Sequence, residues 1–217
     1  MAEIYPSLLN RSLIELKTDV AMLDSYVPGY HIDVMDGIFV PNLTPGVAEV
    51  NTIASMSMRT GHWVHLMITN PQLYIQSFLL APGAIMTFHF ESECDVGDMI
   101  KLILENNWKP SIAISPKTAV EKIFPFLHLV HQVLVMSVEP GRSGQAFLTE
   151  SIKKVELLAG YRATGKLSFR IAIDGGINAN NIAKLAEKGV DDFAVSSAIF
   201  ATKDAVEALK MLQERVR

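Results

Sequence analysis

At 217 residues, 49% hydrophobic and 19% charged, the chain can bury a sizeable core and is too apolar to be disordered. Its net charge of -4 leaves no basic footprint for nucleic acid, although a local patch can still hold a phosphorylated small molecule. The single cysteine, Cys94, excludes an intramolecular disulfide and fits a reducing compartment.

Short β-rich runs alternate with helix-compatible stretches along the whole chain. Strands are expected over 3–8, 29–35, 62–68, 84–90, 109–115, 132–138, 168–174 and 191–197. Between them, helices are expected near 12–26, 46–58, 70–81, 95–107, 117–127, 151–164, 179–188 and 204–216. SLIE at 12–15 has the form of a capping box that opens the first helix. VLVMSV and RIAID are apolar on both faces, as expected where helices cover a parallel sheet.

The unit repeats eight times at a mean interval of roughly 27 residues, which predicts an α/β fold of the (β/α)8 TIM barrel type. A doubly wound open sheet is the alternative, but no G-x-G-x-x-G is present. No linker divides the chain, so residues 1–217 are expected to form one domain. No apolar run approaches the roughly 20 residues of a membrane span. MAEIYPSLLN also lacks the basic-then-apolar order of a secretory signal, so the expected setting is cytoplasmic, without a membrane partner.

Chemistry in such barrels sits at the C-terminal ends of the strands. In HIDVMDG, alternation puts His31, Asp33 and Met35 on one face of the second strand, leaving Asp36 to support the turn at Gly37. Ser7 ends the first strand, His65 and Met67 lie on the third, and His89 and Glu91 on the fourth. Met136-Ser137-Val138-Glu139 ends the sixth, Asp174 the seventh, and Ser196-Ser197 the eighth. His31, Asp33, His65 and Asp174 form a candidate divalent-metal set, whose mixed nitrogen and oxygen donors suit Zn, Fe(II), Mn or Co.

EPGRSGQ, DGGIN and SSAIF follow three consecutive strands, and the last loops of a barrel are its usual phosphate site. Other features point away from chemistry. His128 and His131 precede the sixth strand and His62 opens the third, which puts them at the opposite rim. Acidic neighbours make Cys94 a poor nucleophile. No lysine ends a strand, which argues against a Schiff-base aldolase.

PSLLN, HIDVMDGIFVPNLT, VHLMITNP, TFHFE, VMSVEPGRSGQAF, IDGGIN and SSAIF together resemble the ribulose-phosphate 3-epimerase family, in order and over nearly the whole chain. The resemblance implies a barrel of the ribulose-phosphate-binding type that interconverts D-ribulose 5-phosphate and D-xylulose 5-phosphate with one divalent metal ion. It implies that His31, Asp33, His65 and Asp174 bind the metal, and that Asp33 and Asp174 double as the acid/base pair. Ser7 and His65 would contact substrate, and Met35, Met67 and Met136 would line the pocket. Gly141, Arg142, Ser143, Gly144, Gly175, Gly176, Ser196 and Ser197 would hold the phosphate end. The partners implied are a phosphorylated ketose and further copies of the chain in a homo-oligomer.

Four positions depart from the family pattern: Ile38 replaces a polar residue, Ala172 a Glu, Arg142 an apolar residue and Ser196 a Gly. They bear on substrate and phosphate geometry and leave the metal and acid/base set intact. The alternatives are a 3-epimerase of a six-carbon ketose phosphate such as D-allulose 6-phosphate, a hexulose-phosphate synthase-like lyase, and a non-catalytic sugar-phosphate-binding barrel. The last would be expected to lose Asp33 or Asp174, and both are present.

Overall fold

The computed structural model of the protein describes residues 2–9, 11–142 and 144–217. Its strands are β1 (Glu3–Pro6), β2 (His31–Met35), β3 (Trp63–Met67), β4 (Ile85–His89), β5 (Lys109–Ile114), β6 (Gln132–Met136), β7 (Arg170–Asp174) and β8 (Asp192–Val195). All pair in parallel, in the order β1-β8-β7-β6-β5-β4-β3-β2. A parallel bridge between Ser7 and His31, with the Leu8 N–H donating to the His31 carbonyl at 3.1 Å, brings the sheet's ends together as a barrel. Every strand predicted from the sequence is present, each shorter by one to three residues because the flanking residues belong to loops.

Strand alternation builds two cores. Outward residues such as Ile32, Val64, Phe88, Val133, Ile171 and Phe193 pack into the large layer between sheet and helices. Inward ones, including Tyr5, Trp63, Ile85, Leu134, Ala172 and Ala194, fill the barrel. This double burial explains why the strands read as apolar on both faces. The floor of the barrel is polar. Asp192, wholly buried, takes two hydrogen bonds from Arg170 and one from Gln132 Nε2 at 2.8 Å. Ser111 Oγ donates to Gln132 Oε1 at 2.9 Å, extending the network across the barrel.

The helices are α1 (Leu13–Leu23), α2 (Val47–Met56), α3 (Val96–Glu105), α4 (Ser151–Gly165), α5 (Ile182–Glu187), α6 (Ser197–Phe200) and α7 (Ala205–Arg215). The capping box forms: Ser12 Oγ accepts from the Glu15 N–H, and Glu15 Oε2 accepts from the Ser12 N–H at 2.8 Å. None of the helices among the described residues is long and apolar enough to cross a membrane.

Two expected helices are replaced by 3-10 turns. Over 70–81 the chain forms turns Pro71–Leu73 and Ile75–Ser77. The Asn51 side chain takes the Ser77 carbonyl at 3.0 Å and the Leu79 N–H at 2.8 Å, groups that a continuing helix would use internally. Over 117–127 a 3-10 stretch spans Val120–Phe126, where Pro125 removes an N–H that an α-helix would use. The short α6 lies in the loop after β8, where the sequence predicts no helix.

Candidate active site

Register assembles the centre. Asp33 on β2 pairs with His65 on β3, so their inward side chains are neighbours, and His31 lies two residues before Asp33 on the same face. Asp33 Oδ1 lies 3.1 Å from His31 Nε2 and 2.9 Å from His65 Nδ1. Asp174, at the end of β7, brings Oδ2 to 3.8 Å from each of the same two nitrogens. One ligand atom from each of the four residues can be chosen so that all lie within 4.8 Å of one another.

This donor set fits a divalent ion. Two carboxylates and two imidazoles face a common point, and among the described residues no Lys or Arg pairs with either aspartate. Both histidine side chains are fully buried, as is Asp33 to within a few per cent, while Asp174 is 19% exposed toward the mouth. Buried anions at this spacing call for positive charge, which a divalent ion or protonated imidazoles can supply.

The two carboxylates are not equivalent. Burial alone would raise Asp33, but the charge and hydrogen bonds of His31 and His65 hold it far below the usual carboxylate range. Burial, reinforced by the Asp33 charge, raises Asp174. Pairs of groups pushed apart in this way suit opposite proton-transfer tasks. Ser7 Oγ donates to Asp33 Oδ2 at 3.2 Å, which orients the more acidic partner.

One cleft at the mouth is lined by Asp33 and Asp174 together with Ser7, Met35, Met67, Met136, Gly141, Arg142, Gly144, Gly175, Ser196 and Ser197. Most of the predicted substrate residues therefore converge on this cleft, with Gly176 adjoining Gly175; His65, fully buried beside Asp33, does not line it, and Ser143 lies outside the described residues. Met35 and Met67 are buried in a small cluster with Val40. Ser137 Oγ, part of the sixth strand's polar end, donates to the carbonyls of Asp174 and Gly175, each at 2.7 Å, pinning the turn that presents Asp174.

Gly176 has φ +65, and a Cβ there would lie 2.8 Å from the Phe147 backbone nitrogen. Gly176→Ala therefore combines left-handed strain of about 1–2 kcal/mol with a backbone clash. It is expected to lower the thermal midpoint by about 2–8 °C in calorimetry, and an unchanged midpoint would contradict this packing.

Several supports were not singled out by sequence. Asn42 Nδ2 donates to the Gly141 carbonyl at 2.5 Å, tying the loop after β2 to the loop after β6. Asp36 does hold its turn: Oδ1 accepts from the Ile38 and Phe39 N–H groups, and Oδ2 from the Thr69 N–H at 2.7 Å. His89 and Glu91 were visible only as polar groups at a strand end. His89 Nε2 lies 2.9 Å from His65 Nε2, and its Nδ1 lies 3.1 Å from Glu91 Oε2. Burial pushes His89 down to about 4, and its pairing with Glu91 helps bring that carboxyl down to about 2 against the opposing effect of its own burial.

His62 and His131 sit immediately before β3 and β6, at the rim opposite the cleft. Burial, with Asp95 nearby, pushes the Cys94 thiol up to about 11, so it is a poor nucleophile.

Residues 3–200 match the model of the ribulose-phosphate 3-epimerase family. The chain belongs to the ribulose-phosphate 3-epimerase family. The ribulose-phosphate 3-epimerase of Mycobacterium leprae is 36% identical over 212 residues, covering 98% of this chain and 94% of that protein. That of Aquifex aeolicus is 38% identical over 177 residues, covering 80% and 78%.

Among solved structures, KGPDC from Streptococcus mutans superposes with a TM-score of 0.70 at 12% identity, covering 99% of this chain and 97% of that one. The 3-hexulose-6-phosphate synthase of Salmonella typhimurium does so with a TM-score of 0.64 at 16% identity, covering 99% and 98%. Both likenesses are of fold alone. Of the four departures from the ribulose-phosphate 3-epimerase pattern, Arg142 and Ser196 line the cleft, Ala172 is buried inside the barrel, and Ile38 is exposed on the loop after β2.

Proposed function

We propose that the protein epimerises C3 of D-ribulose 5-phosphate, giving D-xylulose 5-phosphate, with one divalent metal ion held by His31, Asp33, His65 and Asp174. The observation that carries this reading is the convergence of two carboxylates, from β2 and β7, on the same two imidazole nitrogens.

Inverting a carbon beside a ketone requires removing its proton from one face and returning a proton to the other. Asp33 and Asp174 reach the cleft from different sides of the barrel, so one accepts at C3 while the other donates, and neither has to cross the planar enediolate. The metal, when bound, polarises the carbonyl and stabilises the developing oxyanion. Met35, Met67 and Met136 cover the flat intermediate with polarisable surface that offers no competing proton. The backbone N–H groups of the glycine-bearing loops, with Arg142 and the hydroxyls of Ser196 and Ser197, receive the phosphate.

A second reading, a six-carbon ketose phosphate as substrate, draws on Arg142 and Ser196, which alter the phosphate end and leave the carboxylate pair untouched. Comparing kcat/KM for the two substrates on the same preparation separates the readings. The decisive assay is deuterium wash-in from solvent at C3 of ribulose 5-phosphate. Wash-in is expected from metal-loaded protein, its loss after chelation, and its return on adding a divalent ion. Absence of exchange with Zn, Mn, Fe(II) and Co alike would overturn the enzymatic reading.

A further inference from the structure

A relay of hydrogen bonds runs away from the centre through His65. The His65 ring is fully buried, with Nδ1 turned to Asp33 and Asp174 and Nε2 facing His89 Nε2 at 2.9 Å. Two imidazole nitrogens at that separation share one proton, so one donates and the other accepts. The far side of His89 decides which. Its Nδ1 faces the Glu91 carboxylate at 3.1 Å, and an ionised carboxylate only accepts. His89 therefore carries its proton on Nδ1 and presents a lone pair at Nε2, which makes His65 Nε2 the donor. The lone pair of His65 is then left on Nδ1, facing the two aspartates, where a shared cation satisfies it.

We propose that His89 and Glu91 are positioning residues that keep the His65 proton on Nε2 and so keep Nδ1 available to the metal. This rests on the metal centre proposed above and adds two residues that do not touch it. Glu91 is itself fixed: Oε1 accepts from the Ser115 N–H at 2.9 Å and from the Thr118 hydroxyl. Lys154, reaching from α4, donates to the Ser115 and Thr118 carbonyls at 2.8 and 2.7 Å and holds that loop in place. His31 has no equivalent: among the described residues its buried Nδ1 has no hydrogen-bond partner, and its ring stands edge-on to Trp63 at 4.4 Å. The two imidazole ligands are thus supported unequally.

The substitution Glu91→Gln tests the direction of the relay. The Ser115 N–H needs an acceptor, so the amide oxygen takes it and the amide NH2 turns to His89 Nδ1. Donation then reverses along the chain, ending with the proton on His65 Nδ1, where it blocks the metal. Co(II) is titrated into chelator-stripped full-length protein and followed by its visible d–d bands and by competition with a chromophoric chelator. Glu91→Gln and His89→Phe are expected to weaken Co(II) binding about 10- to 100-fold. His89→Gln, whose amide oxygen can accept from His65 Nε2, is expected to restore most of it.

Far-UV circular dichroism and the thermal midpoint of each apo variant monitor folding, and Glu91→Gln, near the rim, remains informative should His89→Phe fail to fold. Parent-like affinity in folded Glu91→Gln overturns the inference, as does equal loss in His89→Phe and His89→Gln. A parent protein that binds no Co(II) overturns the metal centre itself, which is a separate failure.

Discussion

Asp174→Asn is expected to lower the rate of ribulose/xylulose 5-phosphate interconversion about 1,000-fold or more, because it deletes one of two proton carriers while keeping the side chain's shape. Asp174 also contributes an atom to the proposed ligand set, so the comparison belongs at saturating metal, with bound metal quantified. The two-carboxylate geometry makes a sharper prediction than loss of rate. With Asp33 intact, one epimer should still exchange its C3 proton with solvent while the other exchanges none, and neither should convert. Asp33→Asn should show the opposite choice of epimer. Exchange of both epimers by Asp174→Asn, or interconversion at the parent rate, would show that a different pair of groups moves the proton. One-sided exchange is the expected outcome because the two carboxylates come from β2 and β7 and each serves one face of C3.

The barrel was legible because both signals that define it are local. Runs such as 133–136 are apolar at every position, and the polar groups Asp174 and Ser196-Ser197 fall where such runs end. Once eight strands are placed in one ring, alternation alone turns His31, Asp33 and His65 inward, and the structure brings them together with Asp174. What could not be read depends on contacts between segments far apart in sequence. Nothing in 70–81 says that Asn51, on α2, will take its backbone groups. TFHFE likewise shows a histidine and a glutamate two apart on one face, but not that the ring lies against His65. Nor does it show that the loop at 115–118, held by Lys154, will grip the carboxylate. Register says which strands are neighbours; which polar tips touch also depends on rotamers and loop paths.

The same distinction governs stability at the other end of the barrel, where Asp192→Ala is expected to be strongly destabilising. Asp192 is fully buried and receives Arg170 through both carboxylate oxygens, with Nε to Oδ2 at 2.7 Å, and also Gln132 Nε2 at 2.8 Å. Removing it leaves the buried Gln132 amide without its acceptor and takes from Arg170, 26% exposed and still held by Glu3 and the Asp191 carbonyl, its main partner, a loss of about 3 kcal/mol. For a chain of this length that corresponds to a fall in thermal midpoint on the order of 10 °C. The penalty comes from the abandoned partner rather than from the strength of the pair. Arg170→Met combined with Asp192→Leu should therefore recover much of the midpoint, as replacement of a buried ion pair by apolar groups often does. The floor lies at the N-terminal ends of β7 and β8, away from the cleft, so kcat at 25 °C should stay near the parent value in both variants. A midpoint for Asp192→Ala within about 2 °C of the parent would mean that water reaches Arg170 and satisfies it. In that case the floor would be a solvated rim and not part of the core.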